Sequence, residues 1–148
     1  MSALGLLSGV VLECRDPSVL AAFYSRLTEW PVTFADEDWC SIGESAEAEF
    51  HLSFQRSPGY LPPTWPDPAS SMQIHLHLRV ADIVEAEGVV LSIGGHKLDH
   101  QPAPDTARVF ADPAGHPFCL VRRRSPKRNT VRVGPPGTGD RPPPTASA

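Results

Sequence analysis

The sequence of 148 residues contains no apolar run of about 18 residues, so no transmembrane helix is expected. It has no surplus of positive charge. Thirteen Lys and Arg stand against 17 Asp and Glu, a net charge of −4, which gives no electrostatic case for nucleic-acid binding. Its three cysteines, Cys14, Cys40 and Cys119, form no CxxC pair and are odd in number, which fits free thiols in a reducing compartment. No GxSxG, P-loop or dinucleotide fingerprint occurs. The opening MSALGLLSGVVLEC has no basic n-region and no small-residue cleavage site; it reads as a first strand, and a cytoplasmic location is the expectation. What is present suits a folded domain: 41% apolar and 20% charged residues, in a length that can bury a usable core.

One pattern occurs twice. Gly9-Val10-Val11-Leu12-Glu13-Cys14-Arg15-Asp16 leads into a helix-like stretch, and 66 residues later His75-Leu76-His77-Leu78-Arg79-Val80-Ala81-Asp82 leads into another. Such a repeat constrains architecture more than any single residue does. In the first copy, residues 9–15 are a strand and Asp16-Pro17-Ser18 is an N-cap with proline at the first helical position. Leu20, Phe23, Tyr24, Leu27 and Trp30 then form an apolar helical stripe that Pro31 stops. Strand-like pieces follow at 32–35, about 38–43 and 48–55. In the second copy, residues 73–80 alternate as a strand, Asp82 caps a helix with Glu85 placed for a capping box, and Ile83, Val84, Ala86, Val90 and Ile93 form its apolar face. Gly94-Gly95 ends that helix, and strands follow at 96–101, 107–111 and 117–123, the last two joined by a turn at Asp112-Pro113-Ala114-Gly115.

Each half therefore reads β-α-β-β-β, with modules at about 5–57 and 72–124. Phe50-His51-Leu52 aligns with Phe118-Cys119-Leu120 at an offset of 68, two residues beyond the main repeat. Residues 58–71 are a proline-stiffened connector. Residues 125–148, rich in Pro, Gly, Arg and Thr, are expected to be disordered, and the basic run at Arg122-Arg123-Arg124, with Lys127 and Arg128 nearby, reads as a solvated strand end, with an anionic partner as the alternative.

These segments resemble the vicinal oxygen chelate superfamily, which includes glyoxalase I, extradiol dioxygenases and bleomycin-resistance proteins, and within it the glyoxalase-like domain branch. The carrying pieces are Asp16-Pro17 with Phe23-Tyr24, Phe54-Gln55-Arg56, Pro63-Thr64-Trp65-Pro66, His75-Leu76-His77-Leu78 and Asp112-Pro113-Ala114-Gly115-His116-Pro117-Phe118-Cys119-Leu120. The resemblance implies an α+β fold: two βαβββ modules form a concave mixed-sheet cup, helices pack on the convex side, and ligand sits inside. It also implies a homodimer. Strand alternation then sorts the side chains. Val10, Leu12, Cys14, Phe50, Leu52, Phe54, Leu76, Leu78, Val80, Phe118 and Leu120 face the helices. Gly9, Val11, Glu13, His51, Ser53, Gln55, His75, His77, Arg79 and Cys119 face the cup.

Metal-dependent members of the superfamily place ligands on the first and last strand of each module. Here the matching positions are Gly9, His51, His75 and Cys119, and only His75 fits the commonest ligand pattern. A zinc site from His51, His75 and Cys119 with an open fourth position is the alternative to a metal-free cup, with His77 and Glu13 as further candidate ligands. His75 and His77 are either a general acid and base or polar lining of a pocket. Glu13 and Arg79, equivalent in the repeat, either pair across the cup or bind opposite ends of a polar ligand. Gln55 offers a ligand hydrogen bond or orients the connector. Trp65 is an aromatic wall at the entrance or a plug on the connector. Asp16 and Asp82 are helix caps, and His116 is structural. The leading expectation is a metal-free small-molecule binding protein of the glyoxalase/bleomycin-resistance type. The alternative is an isomerase or lyase acting on a small oxygenated metabolite through a divalent metal or through His75 and His77.

Overall fold

Period-two alternation makes Gly9–Cys14 a strand, β1, with Leu12 and Cys14 buried on one face and Val11 and Glu13 exposed on the other. The computed structural model describes residues 4–123; the tail from 125 to 148 lies outside them. Asp16 caps helix α1, Pro17–Thr28, by accepting from the backbone N–H groups of Ser18 at 3.0 Å and Val19 at 3.4 Å. The helix ends before Pro31 is reached, at Glu29, whose φ of 60° is left-handed. Strands β2 (Val32–Ala35), β3 (Trp39–Gly43) and β4 (His51–Arg56) complete the first module. The second module runs β5 (Leu76–Val80), α2 (Ile83–Ser92), β6 (His96–Lys97), β7 (Ala107–Ala111) and β8 (Pro117–Arg122). Asp82 caps α2 through the N–H groups of Val84 and Glu85, and among the described residues no Glu85 side-chain bond completes the expected box. No described helix is long and apolar enough to cross a membrane.

Each module forms its own four-stranded mixed sheet, ordered β1-β4-β3-β2 and β5-β8-β7-β6, with the first and last strands parallel. This is the expected α+β arrangement of two βαβββ modules. The sheets are not joined by strand pairing. The repeat is more regular than the sequence alignment suggests. Val10 pairs with Leu52, and its repeat mate Leu76 pairs with Phe118. Leu52 therefore corresponds to Phe118, Ser53 to Cys119 and His51 to Pro117, all at the 66-residue offset. The expected two-residue slip is absent. The error was even, so it left every side chain on its assigned face. Phe50 is the exception: it precedes β4 and is exposed instead of facing a helix.

One apolar core serves both modules, and α1 sits at its centre. Tyr24 stacks on Phe54 at 5.6 Å and meets Phe118 of the other module edge-on at 6.0 Å. Phe23 meets the same Phe118 ring at 5.8 Å. Each such aromatic pair adds about 0.5–1.5 kcal/mol beyond burial itself. Helix α2 contributes less: only Ile83 and Val90 are buried, and Val84, expected on its apolar face, is exposed.

A buried polar knot joins the modules. Asp112, 1% exposed, accepts the Tyr24 hydroxyl at 2.9 Å and the His116 ring nitrogen Nδ1 at 2.8 Å on one oxygen. Its other oxygen accepts the backbone N–H groups of Ala114 and His116, closing the turn where Gly115 takes φ +93°. The Nε2 of His116 reaches the Glu13 carbonyl of β1 at 2.8 Å. A buried carboxylate is tolerable only when so fully paired. Asp112→Ala is expected to cost about 3 kcal/mol or more, since it strands the Tyr24 hydroxyl and the His116 ring. Tyr24→Phe is expected to cost about 1 kcal/mol. Urea unfolding at constant slope measures both, and an Asp112→Ala cost under about 0.5 kcal/mol would reject the clamp.

Burial, and after it the charges of Asp112 and Asp16, push the Cys14 thiol from 9.0 up to about 11. The folded chain thus keeps a proton that the unfolded chain releases. This contribution to stability is whole below pH 9 and is lost as pH rises toward 11. Thermal melts across that window should fall in midpoint, less steeply in Cys14→Ala; an unchanged slope in that variant counts against the assignment.

Candidate functional site

The faces turned away from the helices carry the polar residues. In the first module, strand pairing sets His51 between Gly9 and Gly43, Ser53 between Val11 and Ser41, and Gln55 between Glu13 and Trp39. Phe34 of β2 pairs with Ser41. Gly9, Phe34, Trp39, Ser41, His51 and Ser53 line a cavity of about 440 Å³. The indole Nε1 of Trp39 donates to Ser41 Oγ at 2.8 Å, and Ser41 Oγ lies 2.8 Å from Ser53 Oγ. The two hydroxyls bring two protons to one oxygen–oxygen contact. One O–H therefore has no acceptor among the described residues, and it belongs to a pair lining the cavity. Sequence reasoning placed Ser53 on this face but missed Trp39, Ser41 and Phe34 as its neighbours. The alternation in Trp39-Cys40-Ser41-Ile42 was the available signal.

In the second module, His75 and His77 lie on one side of one chain segment, with their Nε2 atoms 2.9 Å apart. Cys119 pairs in register with His77 across β5 and β8. The ligating atoms of His75, His77 and Cys119 all lie within 4.8 Å of one another. Partial burial, and then the neighbouring His77 charge, hold His75 below its usual value. Burial alone raises the Cys119 thiol. His51 is not in this group; it lines the first module's cavity beside Gly9. The structure thus brings His77, not His51, to His75 and Cys119.

The remaining predicted site residues are dispersed. Glu13 and His75 both line a second cavity of about 390 Å³ where the modules meet. Gln55 is exposed beside Glu13, and Arg79 is exposed opposite Val121. Among the described residues no ion pair joins Glu13 to Arg79. Trp65 packs on His100 at 5.2 Å and lines neither cavity.

Two capped βαβββ modules, with polar side chains gathered on the faces opposite the helices, are the geometry against which kinship can be judged. The chain matches the glyoxalase-like domain family over residues 9–121. It belongs to that family. No curated protein matches it in sequence. Among solved structures, it is similar to a glyoxalase/bleomycin resistance protein/dioxygenase family enzyme from Burkholderia phytofirmans, with 13% identity and a TM-score of 0.61 over 80% of this chain and 98% of that one. A bleomycin-binding protein complexed with bleomycin shares 25% identity, with a TM-score of 0.51 over 81% of this chain and 99% of that one. A variant of the fosfomycin resistance protein from Listeria monocytogenes, complexed with manganese(II) and a dihydroxypropylphosphonic acid, shares 14% identity, with a TM-score of 0.60 over 81% and 90%. The likeness to the first and third is one of fold.

The metal positions implied for the superfamily do not fit as a set here. At Gly9 an added Cβ would stand 2.6 Å from the carbonyl oxygen of His51, so β1 has no room for a side chain at that position. A metal-ligating side chain at that position of β1 is sterically closed, not merely missing. Gly9→Ala is expected to cost about 1–3 kcal/mol, because a strand backbone must move. Gly59→Ala, where an added Cβ meets nothing within 4 Å, is expected to stay within about 0.5 kcal/mol. Chemical denaturation of the two variants measures the difference, and equal costs would show that β1 can admit a side chain.

Proposed function

We propose that this protein binds a small molecule in the first module's concave cavity, and that this binding needs no metal. The observation that carries the reading is the surplus hydroxyl proton at the Ser41–Ser53 pair. It offers a donor to a ligand oxygen such as a carbonyl or carboxylate. Trp39 and Phe34 supply flat apolar walls, and His51 a polar group beside them. The cavity's 440 Å³ falls in the range, about 300–1,000 Å³, typical of small-ligand pockets. Binding is favoured over turnover because, among the described residues, neither serine hydroxyl bonds a histidine or carboxylate that would activate it. The bleomycin-binding relative supports the same class of role.

A fragment library that includes bleomycin, screened by protein-observed NMR in the presence of a chelator, tests this. Hits are expected to shift the Trp39 indole and the Ser41 and Ser53 amides. A Ser41→Ala/Ser53→Ala double variant that stays folded is expected to bind the best hit about three- to tenfold more weakly, the weight of one hydrogen bond. Hits that appear only after a divalent ion is added, or an unchanged affinity in the double variant, would overturn the reading.

A further inference from the structure

Cys119 differs from the other two cysteines. Cys14 Sγ contacts the carbonyl of Gln55 at 3.6 Å, and Cys40 Sγ contacts that of Asp36 at 3.9 Å. Cys119 has no such partner among the described residues, is 8% exposed, and stands in register beside His77. Around it the donors are already gathered. His75 and His77 stand two residues apart and turn their Nε2 atoms toward each other, and all three ligating atoms lie within 4.8 Å. A tetrahedral ion with bonds of about 2.0–2.3 Å to nitrogen and sulfur needs donor atoms roughly 3.3–3.8 Å apart, so modest side-chain rotation closes the site.

The repeat explains why such a site would be confined to one module. The residues equivalent to His75, His77 and Cys119 are Gly9, Val11 and Ser53, none of them a metal ligand of that type. Gly9 cannot be replaced by a ligating residue without displacing the His51 carbonyl. At the positions equivalent to His75 and His77 the first strand therefore offers no donor, and β5 supplies its own second donor in His77.

We infer that the second module alone forms a His₂Cys site for a thiophilic ion, zinc(II) or copper(I), from His75, His77 and Cys119, with a fourth position open to water or a ligand atom. On binding, the thiol gives its proton to solvent, the ring that donates from Nε2 in the contact shifts to the tautomer protonated on Nδ1, and the sulfur and both Nε2 lone pairs then coordinate the ion, replacing the contact between the two rings. The donor set selects against manganese(II) and magnesium, which prefer oxygen. In this it departs from the manganese(II) held by the Listeria relative. The inference goes beyond the small-molecule reading and does not rest on it, because the donors and the ligand cavity belong to different modules.

The test uses full-length protein without a histidine tag, stripped of metal and titrated with cobalt(II) as a spectroscopic stand-in for zinc. One ion per chain is expected, with the thiolate-to-cobalt charge-transfer band and visible bands of a tetrahedral site. Zinc(II) should bleach both and manganese(II) should not. Cys119→Ser and Cys119→Ala should each lose the charge-transfer band. His77→Ala should weaken binding by more than the roughly 10–100-fold typical of losing a supporting group. His51→Ala should leave affinity unchanged. No tetrahedral cobalt spectrum, a charge-transfer band that survives both Cys119 variants, or a His51→Ala loss equal to that of His77→Ala would overturn the inference. Fragment shifts at Trp39 report the other module, so either result can fail while the other stands.

Discussion

The fold depends on one buried carboxylate. The two sheets share no strand pairing, so backbone hydrogen bonding does not tie the modules together. The task falls to the apolar core around α1 and to Asp112, which gathers Tyr24 from the first module's helix, the β7–β8 turn, and through His116 the Glu13 carbonyl of β1. The core alone is tolerant of sliding, because dispersion and hydrophobic burial have little directional preference. Four hydrogen bonds to one desolvated group are directional, and through His116 they fix where β1 of the first module lies against the turn before β8 of the second. The cavity between the modules, lined by Glu13, His75 and His116, inherits that placement.

Local chemistry made much of this legible in the sequence. Asp16 and Asp82 cap their helices as read, because capping is decided within three residues. The sorting of faces along β1, β4 and β5 also stands, because alternation is a property of each strand by itself. What was not legible depended on partners far apart in the chain. Tyr24 and Asp112 are 88 residues apart, and neither has a local pattern that announces the other. The alignment of His51 with Cys119 failed for a related reason. Two short apolar-polar-apolar triplets match at several even offsets, and only cross-strand pairing chooses between them.

That choice of register matters for chemistry more than for folding. An even slip preserves which side chains reach the core, so stability gives no warning of it. It does change which residues are neighbours along the cup face. With Ser53, not His51, as the counterpart of Cys119, the first module's equivalent of the His-His-Cys group is glycine, valine and serine. The same backbone position supplies a hydroxyl for hydrogen bonding in one half and a thiol in the other.

Duplication then has a physical consequence that a single module cannot have. Each sheet needs its helix-facing residues for the common core, and those are apolar in both copies: Leu12 and Leu78, Leu52 and Phe118, Phe54 and Leu120. The opposite face is free of that demand. Where β1 closes tightly on β4 at Gly9, space for a side chain is lost but a smooth floor is gained beside Ser53 and Trp39. Where side chains stand at His75, just before β5, and at His77 within it, donors crowd together and the floor is polar. A tight strand contact favours a cavity for an organic ligand, and crowded nitrogen and sulfur donors favour an ion. One chain can hold both environments because the core fixes the two sheets and leaves their outer chemistry independent.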